Sequence, residues 1–484
     1  MAIITGQEYV QSLRSRKIDL YLLGEKVKEP VDHPIIKPSI NSVAVTYDIA
    51  HDPKYESLAT SASHITGEKI NRFNHIHQTP QDLVKKVKLL RLLGQKTGAC
   101  FQRCVGMDAL NALSIVTYDT DQKLGTEYNR RFMDFLQHVQ HKDLMCCGAM
   151  TDPKGDRSLR PSQQADPDLY LRIVKRSEHG ITVRGSKLHQ TGAINSHEII
   201  VMPTRKMRDE DREYAVAFAT PSDTAGLLYI YGRQPCDLRK LGDSEIDLGN
   251  KKYGGQEAMI VFDDVFVPWK RVFLAGEHEF SWPLVNTFAA YHRQSYGGCK
   301  AGVGDVLIGA TSAVAEYNGV PTAPHIRDKI VEMTHLNETI YSCGIACSSE
   351  GCKTSSGTFL VNTLLSNICK HNVTRFPFEI VRLANDIAGG LIATLPSEKD
   401  LQNPKTGKYM EKYLKGKREK STEARLRMLR LIENLSTGLG AVGYRIESLH
   451  GAGSPQAQRI MIERETNIKL KQRLAQALAG VEPE

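Results

Sequence analysis

Two separate segments of the chain carry side chains that could bind a metal centre. Cys100 and Cys104 are separated by three residues, and in a helix this spacing places both thiols on one face, within reach of a single metal centre. His292, Tyr296 and Cys299 lie at positions i, i+4 and i+7, so a helix would bring an imidazole, a phenol and a thiol into one stripe. The spacing does not show that the two segments meet. Two buried small side chains are the alternative interpretation of the Cys100–Cys104 pair.

The other cysteines offer a competing set. The chain has ten, and its first residues lack the apolar core of a signal peptide, so we expect a cytoplasmic protein whose cysteines are free thiols or metal ligands. Cys343, Cys347 and Cys352 form a C-x3-C-x4-C pattern, followed by Cys369, and by spacing alone they are an equally good candidate. The pattern therefore indicates a metal site without choosing between the two sets.

Composition and charge exclude several classes of function. Hydrophobic residues make up 41% and charged residues 24% of the 484 residues, which is typical of a soluble globular protein, and no apolar run is long enough to cross a bilayer. The net charge of +8 could attract nucleic acid or an anionic small substrate. The densest basic stretch, residues 405–427, has acidic residues between the basic ones and few aromatics, so we expect no nucleic-acid partner.

Three regions of different periodicity must position these residues. Helical periodicity, as in Asp82–Leu93, precedes a block of short β-like runs, and helical periodicity returns from about residue 280, as in Arg327–Tyr341 and Thr422–Leu435. This order predicts an α+β fold with domains at residues 1–148, 149–278 and 279–484, rather than alternating βαβ units. The strand candidates are Leu169–Val174, Ile181–Val183, Ile199–Met202, Tyr214–Ala219, Leu227–Tyr231 and Ala258–Phe262, the first two joined by a hairpin turn at Glu178–Gly180.

One glycine pattern imitates a dinucleotide-binding motif. Residues 438–443 match G-x-G-x-x-G letter for letter. That motif needs a preceding strand and a following helix, whereas the residues before Gly438 have a strongly helical pattern. We therefore predict a turn or a close helix contact here.

Around the candidate residues the sequence resembles one enzyme family over long stretches. From about residue 5 to the C-terminus it is similar to the 4-hydroxybutyryl-CoA dehydratases, also known for vinylacetyl-CoA isomerase activity, in segments such as GACFQRCVGMDALNA, GAMTDPKGDR, HQTGAINSHE, YHRQSYGGCK and HGAGSPQAQRIMI. The wider superfamily contains flavin-dependent 4-hydroxyphenylacetate hydroxylases. The resemblance implies an acyl-CoA dehydrogenase-like fold with an N-terminal helical domain, a middle β-domain and a C-terminal helical bundle, assembled as a tetramer.

The resemblance also implies specific site residues. It gives a 4Fe–4S cluster the ligands Cys100, Cys104, His292 and Cys299, and leaves the Cys343 set as non-ligands. For FAD it implies contacts from the middle domain and, across a subunit interface, from a neighbouring chain. The middle-domain residues are Met150, Thr151, Asp152, Lys154, Asp156, Arg157, His189, Gln190 and Thr191. The interface residues are Asp386, Gly389 and Gly390. The implied catalytic residues are His292, Tyr296, Glu257 and Glu447.

The reaction explains why such groups are needed. A CoA-thioester substrate would lose water from C4 and a proton from C3, and that proton is not activated by the thioester carbonyl. Acid–base catalysis alone supplies only about 10²–10⁴-fold, so a one-electron acceptor is required. The resemblance thus implies a radical dehydration to crotonyl-CoA, with His292 or Glu447 as base, Tyr296 as hydrogen-bond donor to the departing oxygen, and Glu257 positioning substrate or relaying protons.

Two other functions are compatible with parts of the sequence. A flavin monooxygenase of the 4-hydroxyphenylacetate type needs no iron, and it would leave the cysteine–histidine set unexplained. A non-catalytic scaffold or nucleic-acid binder would lack bound FAD and would bind DNA or RNA with a steep salt dependence.

Overall fold

The N-terminal part of the chain is helical with short strands between the helices. The computed structural model describes residues 3–233 and 236–481. The helices are α1 Gly6–Arg14, α2 Lys37–Asp48, α3 Glu56–Ala59, α4 Pro80–Thr97, α5 Cys104–Leu124 and α6 Tyr128–His141, and the strands are β1 Asp19–Leu22, β2 Glu25–Lys26, β3 Thr60–Ala62, β4 Lys69–Asn71 and β5 Cys146–Ala149. Helix α4 confirms the predicted helix at residues 82–93. It begins after a Thr79–Asp82 capping box, and Gly98, with φ 56°, caps its C-terminal end.

Two packed sheets form the middle part. Its strands are β6 Arg172–Ser177, β7 Gly180–Thr191, β8 Glu198–Val201, β9 Val216–Pro221, β10 Leu227–Tyr231, β11 Glu257–Pro268 and β12 Val272–Ala275. One sheet has the order β2-β1-β10-β11-β7-β6 and the other β12-β9-β8-β5, and a single apolar core lies between them. Each predicted strand overlaps an observed one, and the predicted hairpin joins β6 to β7. Because β1, β2 and β5 come from the first 149 residues, the domain boundaries at 148/149 and 278/279 remain a prediction.

The C-terminal part is a helical bundle around one long central helix. The helices are α7 Ser281–Tyr317, α8 Pro324–Ser349, α9 Thr363–Val373, α10 Phe376–Ala388, α11 Leu391–Thr394, α12 Glu398–Gln402, α13 Gly407–Tyr413, α14 Thr422–Ser436, α15 Leu439–Ala441, α16 Glu447–His450, α17 Pro455–Glu465 and α18 Ile468–Ala479, with a small hairpin β13 Cys352–Lys353 and β14 Phe359–Leu360. The order of helices, strands and helices confirms the predicted α+β class. Among residues 3–233 and 236–481, no helix combines the length and apolar character needed to cross a bilayer.

A close contact between α4 and α7 holds the bundle against the N-terminal helices. A Cβ at Gly302 would lie 2.1 Å from the backbone oxygen of Arg91, and one at Gly298 would lie 2.4 Å from that of Val87. Only glycine permits this approach of two backbones. The contact brings the C-terminal end of α4, and the loop that follows it, beside the middle of α7.

The structure corrects one prediction made from the sequence and confirms another. The suggestion that Cys100 and Cys104 share a helix face is wrong: α4 ends at Thr97, and Cys104 is the first residue of α5. The loop between them contains Gln102 with φ 67°, and left-handed backbone at Gly98 and Gln102 interrupts the helix. The exclusion of a dinucleotide motif at residues 438–443 is confirmed, because the segment follows α14 and leads into a π-helical turn at Val442–Ile446.

Candidate active site

The two donor segments that the sequence could not join meet in one cavity. Cys100 lines it from the loop before α5 and Cys104 from the first residue of α5. His292, Tyr296 and Cys299 line it as the predicted stripe on α7. Other side chains of the same wall are Thr191 at the end of β7, Ser295 and Lys300 on α7, and Glu447 in the C-terminal turns.

The three thiols form one electrostatic group. Burial raises the pKa of Cys104, and the nearness of Cys299 and Cys100 raises it further. Burial likewise raises the pKa of Cys100 and of Cys299, while the Lys300 ammonium acts in the opposite direction on both. A positively charged iron centre would reverse this balance, because a coordinating thiol loses its proton.

The types of donor in the cavity bear on which metal centre it could hold. Across residues 3–233 and 236–481, no three Cys, His, Asp or Glu side chains are arranged to hold one metal ion. A polynuclear iron–sulfur cluster binds each protein ligand at a different iron, so its ligands need not converge on one point. Three thiols and one imidazole around a common cavity fit the ligand set of an iron–sulfur cluster.

A buried ion pair fixes the orientation of His292. Its Nδ1 donates to Asp108 Oδ2 at 2.8 Å, and Ser295 Oγ donates to the same oxygen at 2.9 Å. The Lys86 ammonium donates to the other oxygen, Oδ1, at 2.6 Å, and neither Lys86 nor Asp108 is exposed. Burial alone would raise the pKa of Asp108, but the Lys86 charge and the His292 bond outweigh it and hold that pKa below its usual value. An ionised Asp108 keeps the hydrogen on Nδ1 and leaves Nε2 free to bind a ligand.

Two carboxyl groups share a second part of the site. The Thr191 hydroxyl lies 2.7 Å from Glu257 Oε1 and 3.0 Å from Glu447 Oε1. Burial and then repulsion from Glu447 raise the pKa of Glu257 well above its usual value, and its Oε2 is shielded from solvent without a hydrogen-bond partner among the described residues. The Thr191 hydroxyl has one hydrogen and can donate to only one of the two glutamates. The other glutamate must therefore carry a proton and donate it to the Thr191 oxygen. The raised pKa of Glu257 favours this residue as the one that holds the proton.

Glu447 is presented by irregular helix. The π-helical turn Val442–Ile446 directly precedes it, and such turns are frequent at functional sites. Lys300 Nζ and Ser448 Oγ donate to the backbone oxygen of Gly443 at 2.5 and 2.8 Å. These bonds fix the turn against α7, so that Glu447 faces the thiols and Thr191.

Tyr296 is held from several sides. Its ring centroid lies 5.0 Å from that of His292, and the ammonium groups of Lys300 and Lys370 lie 5.2 and 4.7 Å from the ring centroid. Burial raises the pKa of the phenol well above its usual value, so the hydroxyl keeps its hydrogen. A Cβ at Gly451 would come within 2.1 Å of that hydroxyl, so only glycine leaves room for it.

The two segments predicted to contact flavin lie side by side. The Leu188 N–H and the Gln190 side-chain amide donate to the backbone oxygen of Thr151 at 2.9 and 3.1 Å. Asp152 is buried in an ion pair with Lys187 at 2.9 Å. The remaining members on these segments differ in exposure: Met150 is half-buried, and Lys154, Asp156, Arg157 and His189 are exposed. Because Thr191 ends the second segment and lines the cavity, both segments lead to its edge.

Other predicted residues lie away from this cavity. Asp386 is on the surface, paired with Lys329 at 2.7 Å, and Gly389 and Gly390 follow it at the exposed end of α10. None of the three lines the cavity in a single chain, so their contribution across a subunit interface stays a prediction. The competing cysteines, Cys343, Cys347, Cys352 and Cys369, are also outside its wall.

Pattern reasoning missed four residues that shape the site. Asp108 lies one helical turn after Cys104, and Lys300 directly follows Cys299, so both had a positional signal. Lys86 and Lys370 had none, because they reach the site from α4 and α9 only through helix packing. Burial lowers the pKa of Lys370 to about 7, which is a property of the packed structure alone.

Comparison with known proteins decides the family. Residues 5–274 and 283–480 match the families described as 4-hydroxyphenylacetate 3-hydroxylase N terminal and C terminal. The chain is 56% identical over 488 aligned residues to the 4-hydroxybutyryl-CoA dehydratase/vinylacetyl-CoA-Delta-isomerase of Clostridium aminobutyricum, covering 99% of this chain and 100% of that protein. The chain belongs to the 4-hydroxybutyryl-CoA dehydratase family.

Solved structures agree with this membership. An oxygen-tolerant archaeal 4-hydroxybutyryl-CoA dehydratase from N. maritimus superposes with a TM-score of 0.98 at 56% identity, over 100% of this chain and 96% of that one. The oxygenase component of 4-hydroxyphenylacetate 3-monooxygenase, solved with FAD, has a TM-score of 0.87 at 24% identity over 98% of each chain, which shows a shared fold. The monooxygenase from Thermus thermophilus is 27% identical over 90% of this chain and 89% of its own length. The dehydratase family is therefore much nearer in sequence than the monooxygenases.

Proposed function

We propose that this protein dehydrates 4-hydroxybutyryl-CoA to crotonyl-CoA and isomerises vinylacetyl-CoA. The observation that carries the proposal is the meeting of three thiols, one oriented imidazole, a phenol and Glu447 around one cavity, with Glu257 joined to Glu447 through the Thr191 hydroxyl. Full-length similarity to a relative with both activities in its name supports the same reaction.

The proposed cofactors are a 4Fe–4S cluster and FAD. Cys100, Cys104, Cys299 and Nε2 of His292 would hold the cluster, while the segments at residues 150–157 and 189–191 would contact FAD. Asp386, Gly389 and Gly390 would complete the flavin site from a neighbouring subunit of a homotetramer. When bound, these groups supply the one-electron transfer and the Lewis acidity that removal of an unactivated proton and of a hydroxyl group require.

The chain's own residues would handle the protons. With Nε2 of His292 committed to iron, we assign the base that takes the α proton of the thioester to Glu447, whose carboxylate faces the cavity. Glu257, which keeps its proton, would donate one or position the thioester. The Tyr296 hydroxyl, also protonated, would donate a hydrogen bond to the departing C4 oxygen. Burial of this site excludes bulk water from competing for these protons.

Anaerobic purification tests the proposal directly. We expect a visible spectrum with flavin and iron–sulfur absorbance, about four irons and one FAD per chain by chemical analysis, and crotonyl-CoA as the product of 4-hydroxybutyryl-CoA. Iron-free protein that hydroxylates 4-hydroxyphenylacetate with O2 would replace this proposal by the monooxygenase alternative.

A further inference from the structure

A cluster of cations lies on the middle part of the molecule, outside the cavity described above. Arg160, Arg205, Lys206 and Arg208 line one surface concavity, here named the cationic pocket. Lys206 and Arg208 are exposed, Arg205 is half-buried, and the Arg160 side chain is 18% exposed. Four positive side chains around one concavity create a strong local potential for an anion.

Carboxylates neutralise only part of this charge. Arg160 pairs with the buried Asp211. Arg205, Lys206 and Arg208 have no ion pair among residues 3–233 and 236–481. Most of the positive charge of the pocket is therefore available to a ligand.

Two further cations extend the charge toward the predicted flavin segment. Although the Lys154 side chain as a whole is exposed, desolvation of its ammonium group lowers its pKa. Repulsion from Arg157 and Arg205 lowers that pKa further, while Asp152 acts in the opposite direction. The Tyr170 hydroxyl donates to the backbone oxygen of Lys154 at 3.0 Å. The loops 150–160 and 202–208 thus form one positive surface, and a bound anion would reduce the repulsion between its cations.

The sheet explains why these loops meet. β5 and β8 are adjacent parallel strands, paired from Cys146–Glu198 to Ala149–Val201. Their carboxyl ends lie at the same edge of the sheet, and loop 150–160 leaves one strand while loop 202–208 leaves the other. The first of these loops is held by its Thr151 against the strand that ends at Thr191, in the cavity wall. The cationic pocket therefore lies at the edge of the sheet from which the active-site segments also start.

We propose that the cationic pocket binds the phosphate groups of the CoA moiety of the substrate. This inference rests on the proposed function and extends it to the part of the substrate remote from the reaction. A CoA thioester carries a diphosphate and a 3′-phosphate, and guanidinium groups bind phosphate oxygens in pairs. The acyl end would enter the cavity while the nucleotide end stays at the surface, which suits the exposure of Lys206 and Arg208.

Substitution of the three pocket cations that have no ion pair provides the test. In the variant Arg205→Gln/Lys206→Gln/Arg208→Gln, we expect the KM for 4-hydroxybutyryl-CoA to rise about tenfold at unchanged kcat, since each surface ion pair contributes little alone. The KM for 4-hydroxybutyryl-pantetheine, which lacks the diphosphate and the 3′-phosphate, should not change. Raising the ionic strength should weaken CoA-ester binding to the unaltered protein and affect the variant less.

A matched variant controls for the change of net charge. Lys412→Gln/Lys415→Gln/Lys417→Gln removes the same three charges from an exposed segment far along the chain, and we expect it to leave both KM values unchanged. If the triple pocket variant does not fold, the single exposed substitution Lys206→Gln with the salt series takes its place.

FAD also contains a diphosphate, so the second part of the experiment measures flavin binding. The FAD content of the purified protein and the Kd of the flavin-free protein for FAD should be the same in the variant and in the unaltered protein. A higher Kd for FAD in the variant, with an unchanged KM for the CoA ester, would assign the pocket to the flavin and overturn the proposal. Equal KM increases for the CoA and pantetheine esters would also overturn it.

Direct binding separates this inference from the proposed function. Titration calorimetry with CoA itself requires no turnover, and the variant should bind CoA about tenfold more weakly. The unaltered protein could fail to dehydrate the thioester while the triple pocket variant binds CoA more weakly than the unaltered protein does. The proposed function would then be wrong, and the assignment of the pocket to CoA would be supported. If CoA affinity is unaffected, the pocket assignment fails whatever the activity.

Discussion

Replacing Asp108 by asparagine should lower both the stability of the protein and the affinity of His292 for metal, and these two effects can be measured separately. The carboxylate accepts three hydrogen bonds, from Lys86 at 2.6 Å, His292 at 2.8 Å and Ser295 at 2.9 Å. Asparagine has one carbonyl oxygen for these donors, and its amide hydrogens would face another donor. It also leaves the Lys86 ammonium, with no exposed surface, without a counter-charge.

The expected size of the effect follows from that burial. Removal of one partner from a buried ion pair costs about 3–5 kcal/mol of unfolding free energy. Loss of a partner behind a metal-binding histidine costs about 10–100-fold in metal affinity. The double variant Lys86→Met/Asp108→Asn removes both charges, so we expect most of the stability to return while His292 stays unoriented.

Urea denaturation of the metal-free chain and the rate of iron loss to a chelator measure the two effects. Glu198→Gln is the matched control, because the buried Glu198 pairs with the half-buried Arg271 at 2.7 Å on a strand away from the cavity. It should lower stability without faster iron loss. A double variant that keeps iron and dehydrates at the unaltered rate would refute the orienting role of Asp108.

Four further variants test the thiols and the carboxyl pair. Cys299→Ala should abolish iron–sulfur absorbance and dehydration together, whereas Cys343→Ala should preserve both; the reverse result would show that the ligand set is wrong. Glu257 has a raised pKa in the folded state, so its contribution to stability is fully present below about pH 4.3 and is lost as the pH rises through the folded-state pKa. Glu257→Gln should therefore flatten the fall of the unfolding temperature with rising pH, and an unaltered slope would contradict a protonated Glu257. Glu447→Gln should slow dehydration and isomerisation together by about 10²–10⁴-fold, and a full isomerase rate would rule out a shared base.

The local periodicities of the chain predicted much of the fold. Helical spacing placed His292, Tyr296 and Cys299 on one stripe, and α7 presents them so, because side chains at i, i+4 and i+7 share a face of any regular helix. Short β-like runs between turn residues likewise predicted strands such as Leu227–Tyr231, which the structure has with the same bounds. Long family-specific segments identified the dehydratase family, which the comparisons confirmed.

Only tertiary structure brought the segments of the site together. The helix suggested for Cys100 and Cys104 is interrupted by left-handed backbone, and the cavity instead depends on the approach of α4 to α7 at Gly302. The Asp108–Lys86 pair and the contact of Glu257 with Glu447 join residues far apart in the chain, for which no sequence period exists. Local conformation depends on neighbours along the chain, whereas the charge state and orientation of these groups depend on which surfaces pack together and exclude water.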